Sequence, residues 1–94
     1  MSIKLEIYTP EKNIGKYTAD KVIVPVAEGN LTIICERAPR SALLTKGCIV
    51  LLNEHNQSFK KWHITGGIME VASDICKVAV EEITESDISA SSDL

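Results

Sequence analysis

Short apolar runs separated by turn-forming residues are the feature that most limits what this chain can fold into. They recur at about eight-residue spacing along the 94 residues. In the first run Ile3, Leu5 and Ile7 alternate with polar neighbours, which is the period of a half-buried strand. No window of about 11 residues keeps a helical period. Eight to ten short strands at this spacing predict an all-β, antiparallel sandwich or barrel.

The predicted strands follow one another closely and stop before the end of the chain. Pro25 confines its own strand to a sheet edge, a bulge or the strand's end, because proline cannot donate to a ladder. The segment from Thr84 onward is serine-rich and acidic, so we expect a domain over residues 1–84 and a disordered tail over 85–94. The predicted strands are 3–8, 14–19, 22–26, 31–35, 42–45, 48–52, 58–65, 68–72 and 75–83.

Charge and hydropathy exclude two classes of partner. The formal net charge is −3, but three acidic residues lie in the last ten positions, so residues 1–83 are formally neutral. A neutral body lacks the cationic surface that nucleic-acid binding requires. No apolar run approaches the roughly 18 residues of a membrane-spanning helix, so we expect no membrane insertion.

The cysteines and histidines give little support to catalysis. Cys35, Cys48 and Cys76 are odd in number and lack metal-ligand spacing, which indicates free thiols in a reducing compartment. Cys48 and Cys76 lie in apolar runs, so we expect inert, buried thiols. His63 is interpreted as a structural histidine and His55 as solvated. The spacing places neither histidine near a particular cysteine, and we predict no catalytic, cofactor or metal site.

Two further segments have structural interpretations. Gly66 and Gly67 lack the lysine and following helix of a phosphate-binding loop, so we predict a structural turn with positive φ. The run Cys48–Leu52 is apolar on both strand faces. Either the domain covers both faces, or the outer face meets another protein.

The order of the motifs resembles the epsilon subunit of the bacterial F-type ATP synthase. The resemblance extends from residue 3 to about residue 84, with the motifs in the same order and with matching gaps. The motifs are Thr9-Pro10-Glu11-Lys12, Asp20-Lys21-Val22 leading to Val24-Pro25, Ala27-Glu28-Gly29-x-Leu31, Ala38-Pro39, and Thr65-Gly66-Gly67-Ile68-Met69-Glu70-Val71.

This resemblance implies a fold and a role. It implies a ten-stranded β-sandwich at the foot of the central stalk, held between the gamma subunit and the ring of c subunits. Such a subunit performs no chemistry and binds no small-molecule substrate; it helps to couple proton-driven rotation to the catalytic headpiece. The implied location is the cytoplasmic face of the bacterial inner membrane. Family members usually continue into two C-terminal helices that inhibit ATP hydrolysis, and with the sequence ending at Leu94 we expect no such inhibition.

The resemblance also assigns contact residues, and this chain departs from the family at some of them. Asn30 replaces the usual acidic residue near the c-ring, and Arg37 replaces the usual histidine near gamma. Such charge changes alter the choice of partner. The expected c-ring contact is Glu28, Gly29, Asn30 and Leu31, and the expected gamma contact is Thr9, Arg37, Ala38 and Pro39.

Other interpretations stay open at this level. Glu28–Asn30 could be an ordinary solvated turn, and Arg37 and Arg40 an ordinary exposed loop. The whole chain could be a diverged, stand-alone β-sandwich that acts as a protein-interaction module outside a synthase, for which the altered segment 36–40 is the main support. An enzyme that pairs one of the cysteines with a histidine is the least supported alternative.

Overall fold

Ten strands and the turns between them make up the described part of the chain. The computed structural model describes residues 2–11, 13–35 and 38–86. The strands are β1 (Ile3–Tyr8), β2 (Asn13–Ala19), β3 (Lys21–Val26), β4 (Gly29–Ile33), β5 (Arg40–Leu44), β6 (Gly47–Leu52), β7 (Ser58–Ile64), β8 (Gly67–Ala72), β9 (Ile75–Val80) and β10 (Ile83–Ser86).

Two five-stranded sheets face one another. Sheet A has the order β2-β1-β9-β8-β5, and sheet B has the order β10-β7-β6-β3-β4. The predicted ten-stranded, antiparallel β-sandwich is therefore confirmed. Among the described pairings, that of β1 with β9 is parallel. Alternation in the sequence has the same period in both orientations, so it gives no information about strand direction.

The last predicted strand is wrong as a single element. The chain leaves β9 at Val80 and begins β10 at Ile83, which pairs with β7 in the other sheet. Because β10 extends to Ser86, it also passes the expected domain boundary at residue 84. Residues 87–94 of the predicted tail lie outside the described residues.

Alternate side chains from both sheets fill one apolar core. Trp62 is 1% exposed, and its ring meets that of Tyr17 edge-on, with centroids 4.9 Å apart. Within the described residues no polar or charged side chain is buried. The buried apolar residues are Ile3, Leu5, Ile7, Ala19, Val22, Val24, Ile33, Leu44, Ile49, Leu51, Trp62, Ile64, Met69, Val71, Cys76, Val78 and Val80.

Pro25 lies near the end of a strand in the interior of sheet B. β3 has β6 on one side and β4 on the other, and its pairing with β6 runs only from Lys21 to Ile23. Since proline has no N–H, the ladder with β6 stops before it. Of the three positions that the sequence allowed for Pro25, the structure selects the end of its own strand.

Gly66 and Gly67 connect β7 to β8 and require glycine for different reasons. Gly66 has a φ of +145°, a conformation that L-amino acids rarely adopt. Gly67 is the first residue of β8, and a Cβ atom there would lie 2.3 Å from the carbonyl oxygen of Ala79. Backbone packing therefore allows no side chain at Gly67.

We predict that Gly67→Ala lowers the free energy of unfolding by about 2 kcal/mol or more, because the new methyl group overlaps the backbone of β9. Urea unfolding, followed by the fluorescence of Trp62, measures the change. The control is Ala72→Gly, which makes the reverse change at an exposed position of the same strand and should cost about 1 kcal/mol or less. Equal effects of the two substitutions would contradict the close approach at Gly67.

Candidate functional site

The connections between strands collect at two opposite ends of the sandwich. At one end, which we call the Thr9 end, the chain passes from β1 to β2, β3 to β4, β5 to β6, β7 to β8 and β9 to β10. The amide of Thr45 donates to the carbonyl of Pro25 at 3.0 Å and ties the sheets together there. The remaining connections lie at the opposite end, which we call the Pro39 end.

The residues expected to contact the c-ring form one compact unit at the Thr9 end. Glu28, Gly29 and Asn30 are exposed on the hairpin that joins β3 to β4. Leu31 is half-buried and packs on the core, opposite Val24. The hairpin therefore combines an anchored base with an exposed tip, a form suited to contact with a partner surface.

The residues expected to contact gamma are not brought together. Thr9 is half-buried at its end of the sandwich, in a shallow groove with Pro10, Gly66 and Ile68. Ala38 and Pro39 are exposed in the connection from β4 to β5, at the opposite end. Arg37 lies outside the described residues. Since the six-residue strand β1 spans about 20 Å, one partner that meets both groups must follow the length of the sandwich.

The outer face of sheet A combines a charged centre with an apolar margin. Glu6 lies among Lys4, Lys16 and Lys77, and the pKa of its carboxyl is lowered, chiefly because the Tyr8 hydroxyl donates a hydrogen bond to it and secondly because of these lysines. At the margin the register places two exposed side chains, Leu43 and Ile68, opposite each other on β5 and β8.

These two side chains form an exposed apolar pair that the sequence analysis did not single out. Leu43 is 74% exposed and Ile68 is 53% exposed. Contiguous apolar surface of this kind marks interaction sites more often than scattered exposed residues do. The available signal was the strand alternation itself, which places both residues outward while Leu44 and Met69 face the core.

The outer face of sheet B is apolar along β6. Ile49 and Leu51 point into the core, so Cys48, Val50 and Leu52 point outward and are half-buried. Phe59, on the adjacent strand β7, is 44% exposed. The sequence left two explanations for the apolar run Cys48–Leu52: the domain covers both of its faces, or the outer face meets another protein. In the structure the described residues cover this outer face only in part.

Cys48 does not have the buried environment expected from the sequence. It is half-buried on the outer face, and its Sγ lies 3.2 Å from Nδ1 of His63, its cross-strand neighbour. The expectation is wrong because an apolar run does not by itself show how far its outward side chains are covered, and alternation directs Cys48 outward. Cys76, in contrast, is fully buried as expected, and burial raises the pKa of its thiol to about 12.

The described residues contain neither a cluster of metal ligands nor a membrane-spanning helix. Over residues 2–11, 13–35 and 38–86, no three histidine, cysteine, aspartate or glutamate side chains come together as metal ligands. The same part of the chain has no helix long and apolar enough to cross a membrane.

Comparison with known proteins identifies the family of this sandwich. A family model described as the β-sandwich domain of the ATP synthase delta/epsilon chain matches residues 2–86. The chain belongs to this family. An ATP synthase epsilon chain of Granulibacter bethesdensis is 33% identical over 78 residues, which are 83% of this chain and 57% of the relative. An epsilon chain of Symbiobacterium thermophilum is 34% identical over 87 residues. The chain thus spans a little over half the length of the curated relatives it matches.

Solved structures show the same fold. A chain in the Euglena gracilis mitochondrial ATP synthase, in a structure of OSCP, F1 and c-ring, matches with a TM-score of 0.78 and 14% identity, over 98% of this chain and 60% of that one. A chain in the central stalk and c-ring of the Tetrahymena thermophila mitochondrial ATP synthase matches with a TM-score of 0.68 and 17% identity, over 87% of this chain and 65% of that one. At these identities the likeness establishes the sandwich fold.

We predict that the stability of the domain falls as pH rises from about 9 to about 12, in part because of Cys76. The folded state holds the thiol proton up to about pH 12, whereas the unfolded chain releases it near the ordinary value of 9.0. The unfolded state therefore binds fewer protons in this window, and the free energy of unfolding decreases with pH. The slope from one such group is at most about 1.4 kcal/mol per pH unit.

Urea unfolding at several pH values between 8 and 11 measures this slope. The control is Cys76→Ala, which keeps every other titrating group and removes the thiol. Its stability should be lower at neutral pH and should fall less steeply above pH 9. If the free energy of unfolding of Cys76→Ala falls with pH as steeply as that of the wild type, Cys76 does not contribute to the pH dependence.

Proposed function

We propose that this sandwich is a non-catalytic subunit of the central stalk of a proton-translocating F-type ATP synthase, at the cytoplasmic face of a bacterial membrane. In this role it couples rotation of the c-ring to the catalytic headpiece through contact with gamma. The observation that carries the proposal is the family match over residues 2–86. The matching chains in solved structures come from ATP synthase assemblies, and both of these structures include a c-ring.

The mechanical properties of the fold suit this role. A subunit that transmits torque must deform little, and close packing of one core makes a protein interior stiff. Both sheets contribute to that core, and the Thr45–Pro25 hydrogen bond joins them at the Thr9 end. Lys60 forms a 2.9 Å ion pair with Glu85, which fastens the last strand, β10, to β7.

For the c-ring contact we propose the exposed tip of the β3–β4 hairpin, Glu28 to Asn30, with Leu31 as its anchor in the core. Strand pairing between β3 and β4 holds this tip in place along five residue pairs. With Asn30 in place of an acidic residue, Glu28 is the one anionic group of the tip, so the ring surface that it meets is expected to be cationic there.

We predict that Glu28→Lys weakens binding of the protein to a gamma–c-ring assembly by at least about tenfold, which corresponds to about 1.4 kcal/mol. Stability should change by less than about 0.5 kcal/mol, because the side chain is exposed. Binding of each protein to the gamma–c-ring assembly, immobilised on a sensor surface, is measured at near-physiological salt. Glu54→Lys makes the same charge change in the exposed connection at the Pro39 end and should leave affinity unaltered. Equal losses for the two variants would indicate a general charge effect and refute contact at the hairpin.

For the gamma contact we propose a strip along sheet A that includes Thr9, Ala38 and Pro39. The exposed pair Leu43 and Ile68 lies on sheet A next to the Thr9 end. Burial of a leucine or isoleucine side chain contributes about 1.5–3 kcal/mol. This pair therefore adds an exposed apolar contact to the strip, beside Thr9.

We predict that the double substitution Leu43→Ser, Ile68→Ser lowers affinity for gamma more than about tenfold. It should not lower stability, since both side chains are already exposed. Titration of purified gamma with wild-type and variant protein measures the effect. Phe59→Ser removes an exposed apolar side chain from β7 of sheet B and should leave affinity for gamma unchanged. If Phe59→Ser reduces affinity and the double variant does not, sheet B is the contact face.

Co-purification tests the proposed function as a whole. Tagged protein expressed in its host should retain gamma through purification. Absence of measurable affinity for the host's own gamma at micromolar concentration would favour the second candidate, a stand-alone interaction module. The altered segment 36–40, in which Arg37 stands in place of a histidine, is the observation that favours that candidate.

A further inference from the structure

Cys48 and His63 form a thiol–imidazole pair on the outer face of sheet B. The register of β6 and β7 places them directly opposite each other, with Sγ and Nδ1 3.2 Å apart. This distance is within hydrogen-bonding range for sulfur. A nucleophile and a base in such contact form the arrangement that activates a cysteine, because the thiolate is the reactive species.

The pair is held in place by the hairpin that joins its strands. Oδ1 of Asn53 accepts hydrogen bonds from the amides of His55 and Gln57, at 2.8 and 3.0 Å. The amide of Asn53 donates to the carbonyl of Gln57 at 3.0 Å and closes the loop. The closed loop fixes the start of the hairpin, and a one-residue register shift between Leu51 and Leu52 then brings His63 opposite Cys48, so the contact is part of the strand pairing.

The three cysteines differ in their access to reagents. Cys76 is fully buried, whereas Cys48 and Cys35 are half-buried. His63 is exposed, so a small electrophile can approach the pair from solvent. Of the three thiols, Cys48 therefore combines solvent access with the Nδ1 contact described above.

We propose that Cys48 is a site of oxidative modification, with His63 as the base that activates it. The imidazole takes the thiol proton, and the thiolate attacks one oxygen of a hydroperoxide. An S–O bond forms as the O–O bond breaks, and the imidazolium returns the proton to the leaving hydroxide or alkoxide. With hydrogen peroxide the balance is Cys–SH + H₂O₂ → Cys–SOH + H₂O, in which sulfur loses two electrons to the peroxide.

The modification changes the character of a mainly apolar surface. Val50 lies two residues from Cys48 on the same face of β6, and Pro25 lies beside Gly47 at the start of that strand. A sulfenic acid, or a mixed disulfide formed from it, adds a polar or bulky group to this face. The proposal requires only the folded chain and does not depend on the proposed function.

Trypsin digestion places the three cysteines in separate peptides. The modification rate of each cysteine can therefore be measured in one sample. Cys35 falls in the peptide Val22–Arg37, Cys48 in Gly47–Lys60 and Cys76 in Trp62–Lys77. Intact protein is treated at pH 7 with iodoacetamide, or with hydrogen peroxide and dimedone to trap the sulfenic acid. Mass spectrometry then follows each peptide with time. The synthetic peptide Gly47–Lys60 with the substitution His55→Gln, which carries Cys48 without either histidine, gives the rate of the unassisted thiol.

We expect Cys48 in the intact protein to react about tenfold faster than in the peptide, which is less than the roughly 10²–10⁴-fold that a positioned acid or base contributes in enzymes. His63→Gln should remove this advantage and leave the rate of Cys35 unchanged. His55→Gln, at the exposed histidine in the loop, should leave both rates unchanged. Trp62 fluorescence verifies that each variant is folded.

Two results would overturn the proposal. One is a wild-type Cys48 that reacts no faster than the peptide, a comparison that needs no variant. The other is a His63→Gln protein whose Cys48 reacts at the wild-type rate, which would show that the Sγ–Nδ1 contact is only structural.

Discussion

Burial of the inward faces of two sheets against each other is the interaction on which the rest of this structure depends. Trp62 lies in that layer with Tyr17 against its edge, and aliphatic side chains from both sheets complete it. Because strand side chains alternate, fixing the inward positions also fixes every outward position. The core therefore determines which side chains lie on the outer faces, and these faces carry proposed contacts.

The two outer faces differ, and each carries a separate proposed role. Sheet A presents charges of both signs at its centre, where Glu6 is surrounded by lysines, and an exposed apolar pair at its margin. Sheet B presents a mainly apolar strip along β6 that includes the Cys48–His63 pair. With the proposed contacts on sheet A and at the Thr9 end, the outer face of sheet B remains exposed to solvent. Docking and thiol chemistry can therefore coexist on one small domain.

Part of the geometry of the candidate site could be predicted from the sequence. The β3–β4 hairpin was visible as a Glu-Gly-Asn turn between apolar runs, and such local turn chemistry is readable from neighbouring residues. The gamma contact could not be located in the same way. Thr9 and Pro39 lie at opposite ends of the sandwich because an odd number of strands separates their connections, and each strand reverses the direction of the chain.

The contact between Cys48 and His63 was not predicted from the sequence. Alternation alone directs Cys48 outward once Ile49 and Leu51 are assigned to the core. Counting outward from the loop at residues 53–57 without a bulge places residue 62, not residue 63, opposite residue 48. The register shifts by one residue between Leu51 and Leu52, and only this bulge brings His63 opposite Cys48, so the pairing could not be located from the sequence.

By itself the sequence determined the all-β class, the approximate strands and the inward residues, because these depend on local periodicity and on turn residues. Only the tertiary structure decided which strands pair, in which sheet and in which direction. It alone places β1 parallel to β9 and transfers the chain from β9 to β10 across the core. The physical reason is that pairing is chosen by the joint packing of both sheets, and contacts between residues distant in sequence leave no local pattern to read.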